Sequence, residues 1–210
     1  MEVPDVVVSR LPQYVRVLKE LSQQRIEIIS SQQLGQALQM TPAQIRKDLS
    51  YFGRFGKQGR GYNVRYLLNE LRQILGLDQE WNITVVGVGR LGRAIISYPG
   101  FAPEGFRMVA AFDSDSRQVG QSIGGLIVQP MSELSETIRR KDIRVSIVAV
   151  PAPQTAEVIR NLTSSGIKAI LNYAPTTTLV PEDVRVRNID PVLALQSMTY
   201  HLKNIHTGNP

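Results

Sequence analysis

The 210-residue chain contains no cysteine and only two histidines, His201 and His206, both within its last ten residues. Without cysteine there is no disulfide framework and no thiolate metal site. The histidines stand five apart, not at the i to i+4 spacing that sets two imidazoles on one helix face, and they read as solvated tail residues with no metal between them. No apolar run reaches the roughly 18 residues that a membrane helix needs, and no basic-then-apolar leader opens the chain. Low-complexity tracts and repeats of solenoid period are missing as well. These absences predict a soluble, cytoplasmic protein resting on an ordinary apolar core, with length enough for one small and one medium domain.

What is present is unevenly placed. The formal net charge is +6. Residues 1 to 77 carry 11 Lys and Arg against 6 Asp and Glu, a net of +5, whereas residues 78 to 210 carry 13 against 12. Between 40 and 65, Arg46, Lys47, Arg54, Lys57, Arg60 and Arg65 face one acid, Asp48. A patch this concentrated points to a polyanionic partner.

Composition changes near Leu77 to Trp81. Before it the periodicity is helical. After it, "NITVVGV", "RMVAAFD", "IRVSIVAVP" and "IKAILNYA" alternate with helical stretches, and "GLIVQP" adds a further strand. Such uninterrupted apolar runs suit strands covered on both faces, so the reading is α/β, a doubly wound parallel sheet with right-handed crossovers. The expected domains are 1–78, 79–190 and a terminal helix over 191–210, in which Leu195, Met198, Leu202 and Ile205 form an apolar stripe that the sheet does not obviously need.

In the first domain, Val15, Leu18 and Leu21 mark one helix. Ser30 and Gln33 have capping-box spacing at the start of a second. Thr41 caps a third, with Pro42 at its first position and Gln44 completing another box. The short link between the last two is a helix-turn-helix spacing. On the third helix Ile45, Leu49 and Phe52 face inward, while Ala43, Lys47, Ser50 and Arg54 face outward with Arg46 at the flank, as a helix lying in a DNA major groove requires. "FGRFGKQGRGYNV" then supplies a glycine-rich hairpin with Arg54, Lys57 and Arg60, the wing of a winged helix with Arg60 at its tip. Gln44, Arg46, Lys47, Ser50, Tyr51, Arg54, Lys57 and Arg60 are the candidate DNA-binding residues.

In the second domain Gly87, Gly89 and Gly92 match G-x-G-x-x-G directly after a strand and at the opening of a helix, the fingerprint of a dinucleotide cradle. Val88, Arg90 and Leu91 lie within it, Arg90 within reach of a pyrophosphate. Asp113 ends the next strand 21 residues beyond Gly92, where an acid holds ribose hydroxyls and disfavours a 2'-phosphate, so NAD(H) is expected over NADP(H), with Arg117 close by. No Tyr is followed four residues later by Lys, and no residue stands out to handle the proton of a hydride transfer. The chain therefore has no catalytic candidate, and the nucleotide reads as a signal. The alternative is an NAD-dependent oxidoreductase with an N-terminal dimerisation module.

Across nearly its whole length the chain resembles the Rex family of redox-sensing transcriptional repressors. The resemblance is carried by "QIRKDLSYFGRFGKQGRGY", "VVGVGRLGRA", "VAVPAPQTAEVI", "AILNYAP" and "DPVLALQSMTYHL". It implies a homodimer, with its terminal helix exchanged between subunits, that binds an inverted-repeat operator when NADH is low and leaves it when NADH binds. It adds Val150 and Pro151 to the cofactor-binding residues and implies a switch in which Asp190 meets Tyr98, beside the nicotinamide end, in the NADH form and Arg16 in the DNA form. Tyr173 and Pro191 stand where family members often carry Phe and Leu.

Overall fold

A computed structural model describes residues 3–57, 60–174, 176 and 178–207, with the side chains of Lys57, His201 and 203–207 outside that description. The chain divides into two units, Met1–Gln79 and Glu80–Pro210.

The first unit runs α1 (Asp5–Val8), α2 (Leu11–Gln23), β1 (Ile28–Ile29), α3 (Ser31–Leu38), α4 (Pro42–Ser50), β2 (Gly56–Lys57), β3 (Gly61–Asn63) and α5 (Val64–Ile74). Ser30 caps α3 with the full reciprocal box expected, its hydroxyl accepting from the Gln33 backbone while the Gln33 side chain accepts from the Ser30 backbone. Thr41 caps α4 by accepting from the Gln44 backbone. The second half of that box does not form, because Gln44 turns its amide to Asp48 at 2.6 Å. The three strands form one antiparallel sheet in the order β1-β3-β2, and β2 and β3 are the arms of the wing. Leu11, Tyr14, Leu18, Leu34, Ile45, Leu67 and Leu71 are fully buried in the core that α2, α3, α4 and α5 enclose, with Phe52 only partly covered. Each such side chain stabilises by roughly 1.5–3 kcal/mol relative to leaving it in water.

Asp48 lies inside this core with no exposed surface. Arg10, just ahead of α2, donates to both of its oxygens at 2.7 Å, Tyr14 donates at 3.0 Å, and Gln44 completes the shell. Burial alone raises the Asp48 pKa; the hydrogen bonds from Arg10, Gln44 and Tyr14 outweigh it and hold the carboxyl below the usual range. The Tyr14 phenol is pushed up by burial and by its carboxylate acceptor.

The second unit runs β4 (Trp81–Val86), α6 (Arg90–Ile96), β5 (Phe106–Asp113), β6 (Ser122–Ile123), β7 (Leu126–Pro130), α7 (Leu134–Arg140), β8 (Val145–Val148), α8 (Ala152–Ser164), β9 (Ala169–Asn172), β10 (Arg185–Asn188) and α9 (Pro191–Thr207). The sheet order is β10-β9-β8-β4-β5-β7-β6, parallel except for the short edge hairpin of β6 on β7. Strand order reverses between β4 and β8, the doubly wound arrangement, and a crevice opens there at the carboxyl ends of the strands. One apolar layer packs on each face, Phe112, Val148 and Ile159 on one side and Ile83, Val85 and Ile147 on the other. β6 and β10 went unread in the sequence. β10 carries Arg185 and Arg187 on an edge, where charge blunts strand-to-strand aggregation and hides the apolar signal.

Replacing Asp48 by Ala leaves a mostly buried guanidinium and a buried phenol without their acceptor, and is expected to lower stability by about 3 kcal/mol in chemical denaturation. Because the folded Asp48 value lies below the unfolded one near 3.8, its contribution is complete above that pH and is lost as acidification passes below it. An acid titration followed by circular dichroism should show a steeper loss below about pH 4 in the wild type than in Asp48→Ala.

Candidate functional site

The crevice at the strand-order reversal holds a hollow of about 480 Å³ whose lining includes Gly87, Gly89, Arg90, Leu91, Asp113, Val150 and Pro151. These are seven of the ten residues expected for the cofactor. Gly87 has φ +93, and a Cβ on it would stand 2.6 Å from the Ala149 carbonyl oxygen, so the turn out of β4 can lie against the exit from β8 only as glycine. A Cβ on Gly92 would stand 1.9 Å from the Gly87 carbonyl oxygen, so α6 rests directly on the loop that precedes it. Around Gly89 nothing lies within 4 Å of such a Cβ. Its missing side chain leaves room at the N-terminus of α6, where no side chain caps the helix N–H groups. Val88 is fully buried, and neither it nor Gly92 lines the hollow.

Asp113 does more than its position suggested. One carboxylate oxygen accepts from the Val88 N–H at 2.6 Å and the other from the Asp115 N–H at 2.8 Å, so the acid that ends β5 also fastens the glycine loop. Arg117 donates to both oxygens of Asp115, with a closest distance of 2.8 Å. That pair holds the Asp115 carboxyl below the usual range and turns the nearby guanidinium to an internal partner. Asp115, Gln118, Met131 and Gln154 also line the hollow and were not anticipated. Asp115 was legible as the second acid of "FDSD", and Gln154 as the opening of the helix beyond the strand-order reversal; Met131 carried no signal. Tyr98 follows α6, is 60% exposed, sits edge-on to Phe101 at 5.3 Å and does not line the hollow. Asp190 accepts from the Val192 N–H at 2.9 Å and so caps α9, with Pro191 as its first residue.

In the first unit Arg46, Lys47, Ser50, Arg54 and Arg60 are exposed, and Gln44 and Tyr51 are half-buried. A second hollow, of about 660 Å³, lies between the start of α3, α4 and the wing, lined by Ser30, Ser31, Arg46, Ser50 and Arg54 among others. Arg46 reaches Ser31 at 3.1 Å, and the Ser50 hydroxyl donates to the Lys47 carbonyl. Lys57 begins the wing tip, but its side chain is outside the described residues. Arg16 on α2 is exposed and pairs with Glu20 at 3.8 Å.

Residues 2–50 match the family model described as putative DNA-binding protein N-terminus, and residues 78–176 match the one described as CoA binding domain. The redox-sensing transcriptional repressor Rex of Roseiflexus sp. (strain RS-1) is 53% identical over 201 residues, covering 96% of this chain and 91% of that one. The Rex of Brevibacillus brevis is 45% identical, covering 96% and 97%. The chain belongs to the Rex family. A solved structure of the family member RSP in complex with β-NAD+ and operator DNA superposes with a TM-score of 0.92 at 37% identity, covering 99% of this chain and 95% of that one. RSP in complex with β-NADH gives 0.89 at 35% identity, covering 99% and 97%. Rex proteins are transcriptional regulators, which decides against the oxidoreductase alternative. The CoA-binding description fits a nucleotide-binding sheet of this strand order.

His201 and His206 have side chains outside the described residues. Among the described residues no group of three or more His, Cys, Asp or Glu stands close enough to hold a metal, and no helix is long and apolar enough to cross a membrane.

Two glycine substitutions should separate packing from space. Gly92→Ala drives a methyl into the Gly87 carbonyl and is expected to destabilise the second unit by about 2–3 kcal/mol. Gly89→Ala meets no atom and should leave the melting temperature unchanged, so any ligand affinity that it loses is lost to the filled cradle.

Proposed function

We propose that this Rex-family chain holds NAD(H) in the hollow at the strand-order reversal, binds operator DNA through α4 and the wing as a homodimer, and is released from DNA by NADH in the cytoplasm. The observation that carries the DNA half is the withdrawal of Asp48: the only acid between residues 40 and 65 is fully buried, so the exposed charges of α4 and the wing are cations. Lys47 and Arg54 at the outward face suit base edges or phosphates, and Arg46, Arg60 and Lys57 the flanking backbone. A dimer would place two copies of α4 on the two halves of an inverted repeat.

The hollow fits the cofactor on its own geometry. The open space over Gly89 and the N–H groups of Arg90 and Leu91 suit a pyrophosphate, with the Arg90 guanidinium as a further donor. The remaining lone pairs of Asp113 suit adenosine ribose hydroxyls, its charge repels a 2'-phosphate, and Arg117 is drawn to Asp115, which together favour NAD(H). Val150 and Pro151 at the end of β8 then border the nicotinamide side. On α9, Val192, Leu193, Leu195 and Met198 are each about 60% exposed. An apolar face this open supports exchange of the helix with a second copy. The side chains of Arg16, Tyr98 and Asp190 make weak or local contacts, a 3.8 Å ion pair, an edge-on ring contact and a helix cap, which suits a carboxylate that trades a phenol for a guanidinium between two states.

In a gel-shift assay with promoter DNA, NADH is expected to release the complex and NAD+ to leave it largely intact; equal responses would sink the gating. Lys47→Ala should weaken DNA binding by about five- to tenfold while NADH still binds, as titrated through Trp81 fluorescence. Asp113→Ala should weaken NADH binding more than DNA binding by the ligand-free protein, through lost ribose contacts and a loosened glycine loop.

A further inference from the structure

We propose that the buried Asp48 carboxylate sets the Gln44 side-chain amide in one orientation, so that α4 reads an adenine through Gln44. The inference rests on the reading of α4 as the DNA-binding helix and assigns one of its base contacts.

Gln44 lies in the first turn of α4 and is half-buried. The first turn of a recognition helix is the part that reaches base edges. Its Nε2 donates to Asp48 Oδ1 at 2.6 Å. A carboxylate accepts and never donates, so the amide must turn its nitrogen, not its oxygen, to Asp48. That leaves one amide proton and the Oε1 atom, a donor beside an acceptor. In the major groove adenine presents the complement, an acceptor at N7 beside a donor at N6.

Asp48 is well placed to impose this orientation because it cannot itself turn. Arg10 fastens both oxygens and Tyr14 adds a third donor, so the carboxylate is already satisfied without Gln44. Gln44 is likewise not needed as a cap, since the Thr41 hydroxyl accepts from the Gln44 backbone while the Gln44 side chain turns away from the N-cap. A glutamine free in solvent must give up side-chain freedom and choose between two amide orientations when it meets a base. Here both are fixed before DNA arrives, and the negative charge that fixes them is neutralised by Arg10 and shielded from phosphates.

The test uses the full chain and a pool of duplex DNA with a randomised segment, enriched by binding and sequenced. Wild-type protein is expected to select adenine at one position, and Gln44→Met, which keeps length and the three remaining donors on Asp48, to lose that preference by about tenfold while keeping the others. At that position, 7-deazaadenine, which lacks N7, and purine, which lacks the N6 amino group, should each weaken wild-type binding severalfold and leave Gln44→Met unchanged. Asp48→Asn offers Gln44 an amide proton and turns its side chain over; a folded D48N chain should lose the same preference, whereas uniform weakening at every base would reveal a merely structural role and overturn the positioning. Should D48N fail to fold, the modified bases on wild-type protein decide. Wild-type binding indifferent to both modifications, or a Gln44→Met chain with unchanged preferences, overturns the proposal. A wild-type chain that enriches no sequence overturns the reading of α4 as a DNA reader, and this inference with it.

Discussion

Asp48 meets Arg10 at 2.7 Å inside the first unit, and much of that unit's surface character depends on this contact. A carboxylate out of water is costly unless it is paired and hydrogen-bonded, and here a guanidinium, a phenol and an amide surround it. The pairing ties Arg10, at the head of α2, to the last turn of α4, with Tyr14 of α2 adding a second polar link within an otherwise apolar core. It also removes the one acid of the basic stretch from the surface. The same interaction therefore aligns the helix and sets the sign of the face it presents.

The second unit depends on close approach instead of charge. Gly87 lets the chain leave β4 against the end of β8, and Gly92 lets α6 sit down on Gly87. Neither position tolerates a methyl, and the two contacts together fix where the helix begins. Gly89, between them, is under no such pressure and faces open space. Three glycines in one motif thus answer to three different constraints, two of packing and one of room.

Much of this was legible in the chain. The caps at Ser30 and Thr41, the long apolar strands and the glycine fingerprint all depend on neighbours a few residues apart, and such local rules read directly from sequence. The burial of Asp48 did not, because an acid in a basic run reads as solvated and its partner Arg10 lies 38 positions away. The bond from Val88 to Asp113 spans 25 positions and was hidden for the same reason. Gln44 had two competing partners, the N–H of the N-cap backbone for its amide oxygen and the Asp48 carboxylate for its amide nitrogen, and spacing alone could not rank a neutral donor against a charged acceptor. β10 stayed unread because Arg185 and Arg187 dilute a four-residue strand.

The bond between Asp113 and the glycine loop has one more consequence. It sets the pyrophosphate and ribose end of the hollow during folding, so the ordering of that end is not left to ligand binding. On the proposed reading this end is common to the oxidised and reduced dinucleotide and strengthens both alike. Tight binding shared by two competing forms keeps the site filled with one or the other, and total supply then drops out of the response. What remains is their quotient, so a well-fastened loop makes the protein a gauge of balance and not of amount.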